Sequence, residues 1–188
     1  MAHGGTFKVL RYAYLEEGYT LSSRLPPPVI PNVFLCDFVF ENLQKHPPNQ
    51  VILQSASDDK TVTAGQMVAM SPKIAENLKD FGLVEGDVVF AISGDSLSLS
   101  CLLLPLAALG VIYVAEKPSN LVAELTQRIQ HSGAKAVLCD VRTIDRTMGA
   151  VAGLQSVQFI ILLGEDGFDM QARSKPVKLL SFSDAQNC

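Results

Sequence analysis

The chain has 188 residues, 48% of them hydrophobic and 18% charged, enough apolar side chain for one sizeable core and, by length, for about one domain. Its 15 Lys and Arg are mixed along the chain with 19 Asp and Glu for a net charge of -4. No basic footprint for nucleic acid or for an anionic membrane surface results, and neither is expected as a partner.

In chain order, the opening MAHGGTFKVLRYAYLEEGYTL has no unbroken apolar stretch, because Lys8, Arg11, Glu16 and Glu17 interrupt it. It is also not an Arg- and Ser-rich presequence, so no secretory or organellar leader is expected. Residues 23–32, SRLPPPVIPN, hold four prolines, whose rings fix φ and remove donors, and predict an extended arm. We therefore read residues 1–32 as an N-terminal arm and 33–188 as a single α/β domain. FLCDFVFENLQKH predicts a short helix with Phe34, Leu35, Phe38 and Val39 facing inward. QVILQS and KTVTAGQ bracket Asp58-Asp59 as a hairpin, and GQMVAMSPKIAENLKDFGL has helical spacing that stops at Gly82 and is broken or kinked at Pro72.

From Ser96 to Ala115 no charge occurs, which by length alone would qualify as a membrane span. Alternating Ser96, Ser98 and Ser100, the interruptions Pro105 and Gly110, and the β-branched and aromatic Val111-Ile112-Tyr113-Val114 argue instead for a helix from about Leu97 to Leu109, a glycine joint, and a buried strand to Ala115. A strand buried on both faces needs neighbours built alike. They are present: DVVFAIS before this helix, then KAVLCD after a helix from about Asn120 to Ser132, then VQFIILLG after a helix from about Thr143 to Gly153. This alternation predicts βαβ units in a mostly parallel sheet flanked by helices, preceded by the Pro-rich arm and the short hairpin.

Motifs for chemistry are missing one by one. There is no GxxxxGK[ST] loop, no GxGxxG after a strand and no GxSxG elbow. Gly94 could open the next helix toward an anion, but Asp95 and Ser96 beside it read as plain caps. Glu16-Glu17 and Asp58-Asp59 read as solvated carboxylates, and GEDGFD, residues 164–169, as a turn lacking the closing acid of a calcium loop. His3, His46 and His131 stand alone, and Cys36, Cys101, Cys139 and Cys188 form no CxxC pair and two of them lie inside apolar segments, so no metal site is expected and reduced core thiols of an intracellular protein are the reading. The C-terminal AQNC is neither a Ser-Lys-Leu ending nor a CaaX box, and a cytoplasmic location is expected.

The order of segments resembles the N-terminal part of the adenylate-forming (AMP-binding) superfamily, most closely 4-coumarate:CoA ligase and luciferase-like acyl-CoA synthetases. SRLPPPVIPN with FLCDFVFENLQKHPPNQVIL is similar to a Leu-Pro arm, an Ile-Pro-Asn and a helix before an apolar strand in that family. KTVTAGQMVAMSPKIAENLKDFGLVEGDVVFAIS resembles its first core motif, LLLPLAALGVIYVAEKPSN its second, and SGAKAVLCD and LLSFSD the segments that follow. The likeness covers about residues 20–185 and implies the Rossmann-like first part of an acyl-CoA synthetase fold. For a full-length member it implies ATP, magnesium and coenzyme A, used to convert a carboxylic acid to an acyl-adenylate and then to a thioester.

Three departures stand out: Gly94-Asp95-Ser96 where Pro-Asn-Ser is usual, Lys117 in place of the Asn of Asn-Pro, and Pro72 in a helix usually uninterrupted. Cys188 precedes the family's phosphate loop, adenine and ribose contacts, acyl pocket and lysine domain, so no catalytic, cofactor-binding or metal residue can be carried onto this chain. The resemblance implies an N-terminal fragment inactive alone, with no cofactor bound by it, whose partner is the remainder of the enzyme. The alternative is a non-catalytic structural or interaction subunit, its exposed apolar surface covered by a protein partner. A free-standing flavodoxin-like binding domain is disfavoured, since no phosphate loop follows the first strand.

Overall fold

The computed structural model describes residues 25–56, 59–94 and 97–163 and the backbone of 178–181. Contacts divide the chain between Val33 and Phe34. Residues 25–33 carry no helix or strand and are exposed, in keeping with a proline-rich segment that cannot complete a hydrogen-bonded ladder.

The second unit begins with helix α1, Leu35–Leu43, and an antiparallel ribbon of β1, Val51–Gln54, and β2, Thr61–Thr63. Asp59, in the turn between these strands, takes a left-handed φ of 55°, a conformation Asp tolerates better than most residues. Thr63 then caps α2, Ala64–Asp80: its hydroxyl accepts from Gln66 N at 3.3 Å and Gln66 Oε1 accepts from Thr63 N at 2.8 Å. Of the break or kink expected at Pro72, the break does not occur: α2 runs through it as one helix. Pro72 lies on the exposed side, where water can serve the carbonyl it leaves unpaired, while Met67, Ile74 and Leu78 hold the opposite face in the core.

Five parallel strands form the main sheet: β3 Val88–Ile92, β4 Ile112–Glu116, β5 Ala136–Asp140, β6 Phe159–Leu163 and β7 Lys178–Ser181, in the order β4-β3-β5-β6-β7. The expected βαβ alternation is present, with α3 Leu97–Ala108, α4 Val122–Ser132 and α5 Ile144–Val151 between successive strands. The segment forming β7, LLSFSD in part, carries a strand that was not foreseen.

Period-two alternation sorts the core onto two faces. Val89, Ala91, Leu138 and Ile161 pack with Ile74 and Leu78 of α2 and Leu102 and Leu106 of α3. Phe90, Ile92, Val137 and Ile160 pack with Leu125 and Ile129 of α4 and Ile144 and Val151 of α5. Each such fully buried aliphatic or aromatic side chain contributes roughly 1.5–3 kcal/mol relative to exposure. The sheet is thus covered on both sides, which is why its central strands read as continuous apolar runs rather than alternating ones.

The joint expected at Gly110 is present. Gly110, at φ 69°, donates to Ala107 O at 3.1 Å, and Val111 N donates to Leu106 O at 3.0 Å, the paired bonds that close a helix end on a left-handed residue. The same pair recurs at Gly82, with Gly82 N to Lys79 O and Leu83 N to Leu78 O, and at Gly133 after α4.

The inward face expected of α1 is not found. It buries no residue; Phe34, Leu35 and Phe38 are exposed and Val39 is half-buried. The helix packs against α2 and α3, and these contacts do not bury its apolar stripe. Among the described residues, no helix is long and apolar enough to cross a membrane.

Candidate functional site

In this sheet the connection from β3 runs outward to the edge strand β4, whereas β5 leads on toward β6 and β7. Loops leaving β3 and β5 therefore diverge at their carboxyl ends. That divergence makes the crevice where ligands bind in open α/β sheets.

Ser93 and Gly94 follow β3, and Asp140, Val141, Arg142 and Thr143 end β5 and lead into α5. These two loops meet at one carboxylate. Asp140, with a side chain 10% exposed, accepts on Oδ2 from Ser93 Oγ at 3.0 Å, Gly94 N at 3.3 Å and Arg142 Nη2 at 3.5 Å. Its Oδ1 accepts from Arg142 N at 2.9 Å and Thr143 N at 3.1 Å, closing a turn on its own backbone. Thr143 Oγ1 accepts from Asp140 N at 3.0 Å and donates to Ile92 O at 2.8 Å, which ties the ends of β3 and β5 together.

Burial pushes the Asp140 carboxyl up, but the Ser93, Gly94 and Arg142 donors and the Arg142 charge outweigh it and hold the group below the usual carboxylate range. A carboxylate so engaged is a poor proton acceptor and offers little free lone-pair space to a ligand. It acts as a clamp across the crevice. Gly94 allows the close approach: a Cβ there would lie 3.2 Å from Arg142 Nη2.

The loop after β4 is held separately. Asn120 Nδ2 donates to Glu116 Oε2 at 2.7 Å, Arg128 of α4 pairs with Glu116, and Arg146 of α5 donates to the Pro118 carbonyl. Lys117, one of the departures noted above, is exposed in this loop.

The remaining candidates do not converge. His46 faces Gln50 at 3.1 Å on the surface, and His131 lies exposed on α4. Cys101 and Cys139 are buried free thiols, pushed up by burial to about 11 and about 12, with the Asp140 charge adding to the rise at Cys139 and Thr147 opposing it. Such thiols are inert core residues. Among the described residues no group of three His, Cys, Asp or Glu could hold a metal ion. Asp95 and Ser96, Glu16-Glu17, Asp58, His3, Cys188 and residues 164–169 lie outside the described residues.

Sequence reasoning missed Asp140 and Thr143. The available signal was an acid terminating an apolar strand with Thr three residues on, a spacing suited to closing a turn by side-chain bonds to the backbone.

The family described as AMP-binding enzyme matches residues 39–185. Among curated proteins, 4-coumarate–CoA ligase 5 of Oryza sativa subsp. japonica is 26% identical over 144 residues, 76% of this chain and 26% of that protein. A 4-coumarate–CoA ligase-like protein of Arabidopsis thaliana is 24% identical over 152 residues, 80% of this chain and 27% of that protein. The chain thus spans about a quarter of the length of the curated relatives it matches. A luciferase-like enzyme from the nonluminescent Zophobas morio mealworm shares the fold at TM-score 0.73 and 19% identity, over 86% of this chain and 36% of that one.

Proposed function

Because the chain belongs to the AMP-binding enzyme family, we propose that it supplies the first layer of an adenylate-forming acid–CoA ligase and is inert by itself. In the assembled enzyme the reaction is the family's: a substrate carboxylate oxygen attacks the α-phosphorus of ATP and pyrophosphate leaves. The coenzyme A sulfur then attacks the acyl carbon, and AMP leaves.

The observation that carries this reading is the match over residues 39–185 combined with a crevice closed by its own groups. The described residues do not fit ATP and magnesium. Asp140, between the β3 and β5 loops, is saturated by internal donors, and Arg128 and Arg146 are held by Glu116 and the Pro118 carbonyl, which leaves Arg142 and Lys117 as the exposed cations of the β5 and β4 loops. On this reading the preorganised charge for an adenylyl transfer comes chiefly from the rest of the fold. A cytoplasmic location is part of the same proposal.

Acid-dependent ATP–pyrophosphate exchange by the pure 188-residue chain tests it, with no exchange expected above the protein-free blank for any acid supplied. Clear turnover would show that the chain carries chemistry of its own.

A second reading, a non-catalytic interaction subunit descended from such an enzyme, is favoured by the exposed apolar side chains along α1 and α3. On that reading the chain is retained for contact with another protein and lacks any acid-activating partner.

A further inference from the structure

We infer that residues 26–31, PPPVIP, are a ligand for a protein that reads polyproline II segments, docking in a groove lined by aromatic side chains that carry hydrogen-bond donors. The inference is independent of both readings above, since it concerns the first unit of the chain.

The backbone there is restricted at almost every residue. Each proline ring holds its own φ near about -65°, and Leu25, Pro26, Pro27 and Ile30, each followed by proline, are kept out of the helical region. Every peptide bond among them is trans, and the chain runs without a turn or bend from Pro26 to Pro31, between bends at Leu25 and at Asn32 and Val33. All six residues are exposed, Val29 at 97% and Ile30 at 81%. A segment already held in its bound form has little conformational freedom left to lose on docking.

Three properties select the partner. The first is spacing: at three residues per turn and about 3.1 Å per residue, Pro27-Pro28 and Ile30-Pro31 repeat on the same two edges about 9 Å apart, a PxxP arrangement, with Pro26 and Val29 on the third edge. The second is hydrogen bonding. The segment has six carbonyls but N–H groups only at Val29 and Ile30, and among the described residues no backbone hydrogen bond is made by Pro26 to Pro31. A matching surface therefore supplies donors, as Trp and Tyr do while laying flat apolar faces on the rings. The third is charge: residues 25–33 carry none, so neither an anionic lipid surface nor a nucleic acid finds a counter-charge there.

The test titrates a set of purified SH3 and WW domains, whose grooves are lined by aromatic residues, with the full 188-residue chain. This chain has no Trp, so the tryptophan emission of each domain reports on its own groove. Three forms are compared: unaltered, Pro28→Ala with Pro31→Ala, and Val29→Ser. Val29 stands on the edge away from the two docking pairs and serves as the control. Melting followed by circular dichroism, and sedimentation, report on the chain itself.

Expected is a domain that saturates alike with the unaltered and Val29→Ser chains and binds the double variant at least tenfold more weakly, while the Tm of all three chains agrees within about 2 °C. No response from any domain overturns the inference. Equal binding by all three forms places the contact elsewhere and overturns it too. A Tm lowered by more than about 4 °C in the double variant, or a shift in its sedimentation, gives the segment to the chain's own body or to a second copy and likewise overturns the inference.

Discussion

Replacing Asp140 should loosen the carboxyl end of the sheet without disturbing its core. Asp140→Ala removes the acceptor for Ser93 Oγ, Gly94 N, Arg142 N and Thr143 N, all within 3.3 Å. A hydrogen bond to a charged group contributes about 1.5–3 kcal/mol, but the four share one carboxylate and do not add; the Ser93 hydroxyl can also turn to the Gly94 carbonyl, so a loss of about 3 kcal/mol is expected. Asp140→Asn can keep its oxygen toward Arg142 N and Thr143 N while its amide faces the donors of the β3 loop, and should lose about 1–2 kcal/mol. For a chain of this size, about 3 kcal/mol lowers Tm by roughly 6–12 °C.

The same site sets a pH dependence with a definite sign. The folded-state pKa of Asp140 is depressed, so its contribution is fully present above the unfolded value near 3.8 and is lost as the pH falls below that value through the folded one. The difference between the unaltered chain and Asp140→Asn should therefore be constant from pH 7 down to about 5 and shrink at lower pH. Urea unfolding followed by circular dichroism at pH 7 and at a series of values below 5 checks both points. An Ala variant within about 0.5 kcal/mol of the unaltered chain at pH 7 would refute the clamp, since that is the range of an inconsequential surface change.

Three further outcomes follow from the same geometry. Gly110→Ala forces a side chain onto a residue at φ 69° and brings its Cβ to 2.8 Å from Glu85 Cγ. It should cost about 1–2 kcal/mol in urea unfolding, whereas Gly153→Ala, with open space around it, should change stability by less than about 0.5 kcal/mol. Cys101 and Cys139 should resist thiol reagents at pH 8 in the native chain and react on unfolding, as mapped by labelled peptides; native labelling at the rate of a free thiol would contradict their burial. Thr147, whose buried hydroxyl has no oxygen or nitrogen partner and sits close enough to the Cys139 sulfur to oppose the rise of that thiol, should tolerate Thr147→Val with a change of no more than about 1 kcal/mol, and a larger loss would reveal a strong bond to that hydroxyl.

Much of the architecture was legible because its signals are local. The run from Ser96 to Ala115 separates at a glycine that only a left-handed helix end requires, as the spacing implies. The strand after it, β4, however, lies at the sheet edge and is exposed or half-buried rather than fully buried, because no described strand covers its outer side. The break allowed for at Pro72 and the inward face of α1 failed for the same reason in opposite directions. A proline is disruptive only if its orphaned carbonyl lacks water, and an apolar helix face is buried only if something covers it. Both conditions depend on what lies across space, and the sequence near each residue is silent on that.

The candidate site shows the same limit. Asp140 and Ser93 are 47 positions apart, and nothing near either residue marks the other as its partner. By itself the sequence determined the alternation of strands and helices, the glycine joints and the family, because backbone conformation and hydrophobic period are written within a few turns of chain. Only the tertiary structure decided the order β4-β3-β5-β6-β7, the closing of its crevice by Asp140 and the exposure of the apolar stripe of α1. Each of those depends on which distant segments exclude water from one another, a property of the packed whole that no stretch of chain possesses separately.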